Sequence, residues 1–308
     1  MGKIAIIGTG AMGSVYAGLL ADAGHEVWAI DTWKEHVEAI RKDGLRVEGA
    51  SGDRVARLNA STNAGDAGIC DLVIIATKAM DVEAAARSAK PLIGPNTLVQ
   101  TIQNGLGSSD KVIAILGPQQ VTVGIVGGFG ASLRGPGHVH HNGWEMVHIG
   151  ELNGPVTPRL KASAEIWKSG GFNVKTYDDV QRMIWEKFIC NVTFSASTAL
   201  TGLTIGGVIA DRHAWEVASS CAVEAWQVAR AKKIAVAIDE PVSFVRDFGS
   251  KIPNARPSML LDHMVKKRCE IDVINGAVPV QAATVGMTAP VNATVSALIR
   301  QREQAFPR

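Results

Sequence analysis

The 308-residue sequence predicts an α/β, doubly wound N-terminal domain followed by an all-α C-terminal domain. Three observations carry this expectation. Short β-branched runs alternate with helical patterns through the first half, a glycine-rich loop follows the first of those runs, and past Asp178-Asp179 apolar residues recur at helical spacing with no strand pattern. The length suits about two domains of ordinary size. The boundary is set at residue 180, giving domains 1–179 and 180–308.

Lys3–Ile7 reads as the first strand, and 11–23 as a helix closed by Gly24. Glu26–Ile30 is a second strand ending at Asp31, and 33–41 a second helix followed by Gly44. Further strand-length apolar runs lie at 71–76, 98–102 and 121–126. Segments 138–141 and 146–149 read as an antiparallel hairpin turning at Asn142-Gly143. Residues 163–169 are helical in pattern and 172–177 form one more strand. Alternation places His138 and His140 on one face of their strand and His141 on the other, which reads as a polar hairpin edge. Asp178 or Asp179 caps the first helix of the second domain, and the polar end, 301–308, frays.

Hydrophobic residues make up 46% and charged residues 19%, a globular balance that excludes a disordered chain. Lys+Arg 31 against Asp+Glu 29 leaves a net charge of +2, which excludes the basic excess of a nucleic-acid binder. No apolar run approaches the roughly 18 residues of a membrane span. Cys70, Cys190, Cys221 and Cys269 form no CxxC pair, which points to a reduced, cytoplasmic chain rather than a disulfide framework or zinc site.

Gly8-Thr9-Gly10-Ala11-Met12-Gly13 is GxGxxG, placed directly after a strand and opening a helix. In that context Gly8 permits the tight turn, Gly10 lets the backbone approach a diphosphate, and Gly13 lets helix and strand pack closely. The first domain is therefore Rossmann-like, with Gly8, Thr9, Gly10, Ala11, Met12 and Gly13 as cofactor-binding residues. Asp31 ends the second strand, where a carboxylate accepts ribose hydroxyls and repels a 2′-phosphate, so alone it points to NAD rather than NADP. It equally suits a cap for the helix that follows.

Residues 185–195 read as one helix on which Lys187, Asn191 and Ser195, spaced i, i+4, i+8, share a face. An ammonium, an amide and a hydroxyl along an apolar helix suit a cleft wall holding a small anionic substrate, and suit a solvated stripe equally. Taken with Ala76-Thr77-Lys78, Gln103-Asn104-Gly105, Ser258-Met259-Leu260, Glu270-Ile271-Asp272-x-Ile274-Asn275-Gly276 and Pro290-Val291-Asn292, the motifs occur in an order that resembles the ketopantoate reductase family over nearly the whole chain.

That resemblance implies reduction of the ketone of a 2-oxo acid, 2-dehydropantoate or a close analogue, by hydride transfer from a nicotinamide, usually NADPH. It implies Lys187 as the general acid, Asn104 as the residue orienting the nicotinamide side of the cofactor, and Asn191 and Ser258 as substrate contacts. Glu270 matches the acid that reaches the nicotinamide ribose and the active site, Lys78 a cofactor contact, and Ala131 a backbone contact to the cofactor. Ser195, Ile205 and Ala255 stand at substrate-side positions where the family often has Asn, and Asp31 stands where it usually has Arg. The cofactor expectation is thus NADP by family habit and NAD by Asp31. The expected partner is a small-molecule 2-oxo acid, with no nucleic acid and no membrane, and a homodimer is compatible with the sequence. Two other readings are a hydroxy-acid dehydrogenase of the same family with a different substrate, and a non-catalytic nucleotide-binding sensor. An opine or hydroxyacyl dehydrogenase would need a His base, for which His213 and His263 are available.

Overall fold

A computed structural model describes residues 1–127, 130–143 and 146–307. They divide into two compact units: Met1–Gln103 with Ser108–Val180, and Asn104–Gly107 with Gln181–Arg308. The short segment Asn104–Gly107 thus belongs with the helical unit, although it lies well inside the first half of the sequence.

The first unit is a parallel-rich sheet with alternating helices. Its strands are β1 (Lys3–Ile7), β2 (Glu26–Ile30), β3 (Leu45–Gly49), β4 (Arg54–Ala56), β5 (Asn59–Ser61), β6 (Leu72–Ile75), β7 (Leu98–Thr101), β8 (Val121–Gly127), β9 (Gly130–Gly135), β10 (His138–Gly143), β11 (Met146–Glu151) and β12 (Asn173–Tyr177). Its helices are α1 (Ala11–Asp22), α2 (Lys34–Asp43), α3 (Val82–Ala89), α4 (Ser108–Leu116) and α5 (Pro158–Ser169). The large sheet runs β12-β11-β8-β7-β6-β1-β2-β5 and is parallel except where β11 meets β8. Its two central strands are buried at every position, as expected of strands covered on both faces: β6 is Leu-Val-Ile-Ile and β7 Leu-Val-Gln-Thr.

A second sheet, β4-β3-β10-β9, covers α1 on the side away from β1 and β2. The approach is close: a Cβ on Gly18 would lie 2.4 Å from Val47 Cγ2 of β3. Tyr16 of α1 meets Trp167 and Phe172 edge-on, with ring centroids 5.1 and 5.8 Å away. The one polar atom of the Trp167 ring donates to Gln100 Oε1 at 2.6 Å, so this aromatic cluster is buried without an orphaned N–H.

The small sheet corrects the expected hairpin. β10 pairs with β9 and, in parallel, with β3, whereas β11 pairs with β8 and β12 in the other sheet. Asn142 does not turn a hairpin; its Nδ2 donates to Ser132 Oγ of β9 at 3.2 Å. His138 and His140 therefore lie on an interior strand, not at an edge. The Glu48 carboxylate of β3 makes this tolerable, at 3.1 Å from His138 Nε2 and 3.3 Å from His140 Nδ1. His141 points the other way and is buried. Asp178 accepts from Val156 N at 2.9 Å.

The second unit is helical: α6 (Val180–Thr201), α7 (Ile205–Ala210), α8 (Arg212–Ala231), α9 (Pro241–Lys251), α10 (Ser258–Met264), α11 (Ala277–Ala283) and α12 (Pro290–Glu303). α6 supplies its spine. Phe188, Ile189, Val192 and Phe194 are buried against α7, α8 and α12 residues such as Val208, Cys221 and Val295. Each such side chain contributes about 1.5–3 kcal/mol on leaving water. α12 ends at Glu303, which is buried, so the chain is anchored past the point where fraying was expected. No helix among the described residues is long and apolar enough to cross a membrane.

Candidate active site

In the first unit the glycine loop is built almost entirely by backbone. β1 ends at Ile7 and Gly8 turns the chain at φ +91°. A Cβ on Gly8 would lie 2.6 Å from Thr77 Cγ2, and one on Gly13 would lie 2.1 Å from Gly8 O. Gly10 is the opposite case: a Cβ there would meet nothing within 4 Å. Gly10 is also the N-cap of α1, brings no side-chain acceptor to the helix, and no acidic residue stands in the first turn. The loop is thus closed beneath Gly8 and Gly13 and open over Gly10, where first-turn amides and the helix dipole favour an anion. These residues fit the diphosphate of a dinucleotide.

Beneath the loop lies a buried polar relay. Ser14 Oγ donates to Thr9 O at 2.7 Å and lies 3.2 Å from His36 Nε2. Gly137 N donates to His36 Nδ1 at 3.0 Å, so the neutral ring keeps its proton on Nε2 and donates to Ser14. Burial holds the His36 pKa below its ordinary value, with the Asp31 charge acting in the other direction. Trp33 stacks on the His36 ring, with centroids 5.0 Å apart.

Asp31 is half-buried. Its Oδ1 accepts from Trp33 N at 2.9 Å, and its Oδ2 lies 3.4 Å from Thr9 Oγ1. The carboxylate therefore braces the turn that leads into α2, whose N-cap is Trp33, while remaining beside the glycine loop. Lys34 and Lys78 are exposed, the first opening α2 and the second preceding a short 3-10 turn. Ala131 sits half-buried in β9 and packs on the apolar cluster that also receives Ala11 and Met12.

In the second unit, Lys187 Nζ donates to Asn104 Oδ1 at 2.8 Å. Asn104 is held by its neighbours. Gly105 turns at φ +82°, so close to Val273 that a Cβ would lie 2.1 Å from Val273 O, and Leu106 N donates to that same oxygen at 2.9 Å. Lys187 and Asn191 are half-buried on α6 and Ser195 is buried one turn further along. Ser258 is exposed at the first position of α10. Glu270 is half-buried in the loop before the 3-10 turn Ile271–Val273, not inside a helix as its surroundings in the sequence suggested. The structure thus brings Lys187 and Asn104 into direct contact, lines Asn191 and Ser195 along the lysine's helix face, and places Ser258 and Glu270 on two other segments of the same unit. Cys190 faces elsewhere, and burial pushes its thiol up to about 12, so it stays protonated.

Sequence reasoning assigned no role to the buried amides behind this site. Asn275 Nδ2 donates to Val192 O of α6 at 2.8 Å and to Asn292 Oδ1 at 2.9 Å. Asn292 Nδ2 donates to Cys221 O at 3.1 Å and Glu224 Oε2 at 2.8 Å, and Glu224 also accepts from the amides of Val291 and Asn292. Their signal was present as two Asn-bearing motifs, but their partners are 17 to 83 residues away. Of the three positions at which the resemblance expected Asn, Ile205 and Ala255 are neighbours, with Ile205 N donating to Ala255 O at 3.1 Å.

Comparison with known proteins gives one consistent picture. The family model described as ketopantoate reductase PanE/ApbA matches residues 4–154, and that for the ketopantoate reductase PanE/ApbA C terminal matches residues 179–303. The 2-dehydropantoate 2-reductase of Archaeoglobus fulgidus is 30% identical over 304 residues, covering 99% of each chain. Among solved structures, a PanE/ApbA family ketopantoate reductase from Ralstonia eutropha JMP134 is similar at 33% identity and TM-score 0.88, with 98% of each chain covered. The ternary structure of D-mandelate dehydrogenase with NADH and anilino(oxo)acetate is similar at 26% identity and TM-score 0.88, again over 98% of each chain.

Proposed function

The chain belongs to the ketopantoate reductase family of oxidoreductases, and from that premise we propose that it reduces the ketone of a 2-oxo acid, 2-dehydropantoate or a close analogue, to the 2-hydroxy acid. The observation that carries this reading is the Lys187–Asn104 pair at 2.8 Å, an ammonium held by a fixed amide on a half-buried helix face. A reduced pyridine nucleotide, when bound, supplies the hydride that adds to the carbonyl carbon. The Lys187 ammonium donates a hydrogen bond to the carbonyl oxygen as negative charge gathers there, then gives it the proton. Asn104 Oδ1 sets the direction of that ammonium, and Asn191 and Ser258 orient the substrate. Gly8, Thr9, Gly10, Ala11, Met12 and Gly13 hold the diphosphate, Asp31 the adenosine ribose, and Lys78 and Ala131 further parts of the dinucleotide. Glu270 takes the nicotinamide ribose.

A second reading within the family is an NADH-dependent 2-hydroxy-acid dehydrogenase acting on a more apolar 2-oxo acid. Asp31 favours it on the cofactor side, and Ser195, Ile205 and Ala255 favour it on the substrate side, because none of them carries an amide. Initial rates with 2-dehydropantoate and with an aryl 2-oxo acid, each with NADH and NADPH, separate the two. The first reading requires 2-dehydropantoate to give the higher kcat/KM. Absence of turnover with every 2-oxo acid would leave a nucleotide-binding sensor.

A further inference from the structure

Glu303 is the last residue of α12, and its side chain is only 9% exposed. A carboxylate in that place is doubly unfavourable: burial penalises its charge, and the helix dipole disfavours an anion at a C-terminus. Something must offset both effects. Its Oε1 accepts from Cys269 N at 2.7 Å and lies 3.2 Å from His263 Nε2. Neither partner is close in sequence, and each borders a residue of the lysine site. Cys269 immediately precedes Glu270, and His263 lies in the last turn of α10, the short helix that Ser258 opens.

Resting on the proposed function, we infer that Glu303 is a positioning residue: one buried carboxylate clamps the two segments that carry Ser258 and Glu270. The rest of α12 supports this. Asn292 binds Asn275 and Arg300 binds Asp272, so the helix grips the stretch after Glu270 at two further points. The Arg300–Asp272 pair is exposed and contributes little. The Glu303 contacts are buried, and hydrogen bonds to a charged group are the stronger kind. Phe306 packs edge-on against the His263 ring at 5.0 Å and closes the clamp from outside.

His263, Cys269 and Glu303 also bring a nitrogen, a sulfur and an oxygen within 4.8 Å of one another, an arrangement a metal ion could use. Two features favour the clamp. The carboxylate oxygen is already occupied by protein donors, and burial together with the Glu303 charge pushes the Cys269 thiol far up, away from the thiolate a metal needs.

The test compares Glu303→Ala with Glu303→Gln, whose amide oxygen still accepts from both donors. Hydrogen exchange should speed at least about tenfold across residues 269–274 in E303A, the loss expected for a hydrogen bond to a charged group. KM for the 2-oxo acid should rise by about tenfold or more, while the pH profile of kcat keeps its shape because Lys187 is untouched. E303Q should stay within about threefold of the parent in both measurements. If E303A does not fold, E303D, one methylene shorter, should show the same two changes at reduced size. Unchanged exchange in a folded E303A or E303D overturns the clamp whether or not any 2-oxo acid is reduced. So does one bound equivalent of zinc in the parent that E303A releases. Faster exchange with unchanged KM and kcat overturns the positioning role. A parent protein that reduces no 2-oxo acid overturns the proposed function instead, and the exchange result still decides the clamp.

Discussion

The glycine loop of the first unit and the lysine site of the second position their chemistry by opposite means. The loop is local and made of backbone: Gly8, Gly10 and Gly13 lie between the end of β1 and the first turn of α1, with close packing under Gly8 and Gly13 and open space over Gly10. The lysine site pairs side chains from distant segments, Lys187 of α6 with Asn104, and the proposed function and inference add Ser258, Glu270 and the buried groups behind them. A backbone site should fail wherever any side chain is added. A side-chain site should fail only where the reacting group or its tether is removed.

The largest expected effect breaks the second half of that contrast. Lys187→Ala should lower kcat by about 100-fold or more while nucleotide affinity stays near the parent value, since general-acid contributions are of that size. Steady-state kinetics with a separate nucleotide titration measure both, and an unchanged kcat in a folded variant removes Lys187 from the chemistry. The next effect breaks the first half. Gly13→Ala must move a backbone oxygen that lies 2.1 Å from the added carbon, and should cost about 1–3 kcal/mol of stability as an overpacked site. Gly10→Ala meets no protein atom, so its thermal unfolding should match the parent while its nucleotide affinity falls. If the two alanines unfold alike, the loop is not held as the geometry indicates.

The same contrast explains what the sequence disclosed. The loop was legible because its residues are adjacent and each glycine has a local reason. β1, β2 and the strand–helix alternation were legible because apolar runs sit on a doubly covered sheet. Lys187, Asn191 and Ser195 were visible as a helix face because they share a period. The small sheet escaped notice: β3, β4 and β9 are short or half-polar, and Asn142-Gly143 imitated a hairpin turn. Glu303 escaped too, because a carboxylate near a polar chain end reads as solvated until the fold buries it. Asn104 could be given a place by resemblance but not by pattern, since its partner Lys187 is 83 residues away.

Cofactor choice sharpens the comparison on the loop side. Asp31 is tethered by Trp33 N at 2.9 Å and cannot easily swing away from a 2′-phosphate, so NADH should be preferred. Asp31→Arg should move the preference toward NADPH by about tenfold or more, the scale of one charge-assisted contact. Parallel kcat/KM measurements decide this. A parent enzyme that prefers NADPH tenfold would mean that Lys34 or Lys78 holds the phosphate despite the carboxylate.

The smallest effect concerns pH and asks how far the loop depends on what lies beneath it. Burial lowers the His36 pKa in the folded chain, so the unfolded chain takes up this proton first as pH falls through the ordinary histidine value of about 6.5. The contribution of neutral His36 is therefore complete above that pH. It is lost between that value and the lower folded-state one, at no more than about 1.4 kcal/mol per pH unit. His25 and His141 are lowered by burial as well, so the parent curve alone does not isolate His36. His36→Gln does, because its oxygen can accept from Gly137 N and its amide can donate to Ser14 without titrating. Denaturant unfolding of parent and variant between about pH 5 and 8 should give curves that run parallel above 6.5 and diverge below it, the parent falling faster. Protonation of the folded chain also turns Nδ1 from acceptor to donor against Gly137 N–H, so nucleotide affinity should weaken in the parent only, and only from the lower end of that window downward. Curves that stay parallel throughout would show that the loop does not depend on the proton state of His36.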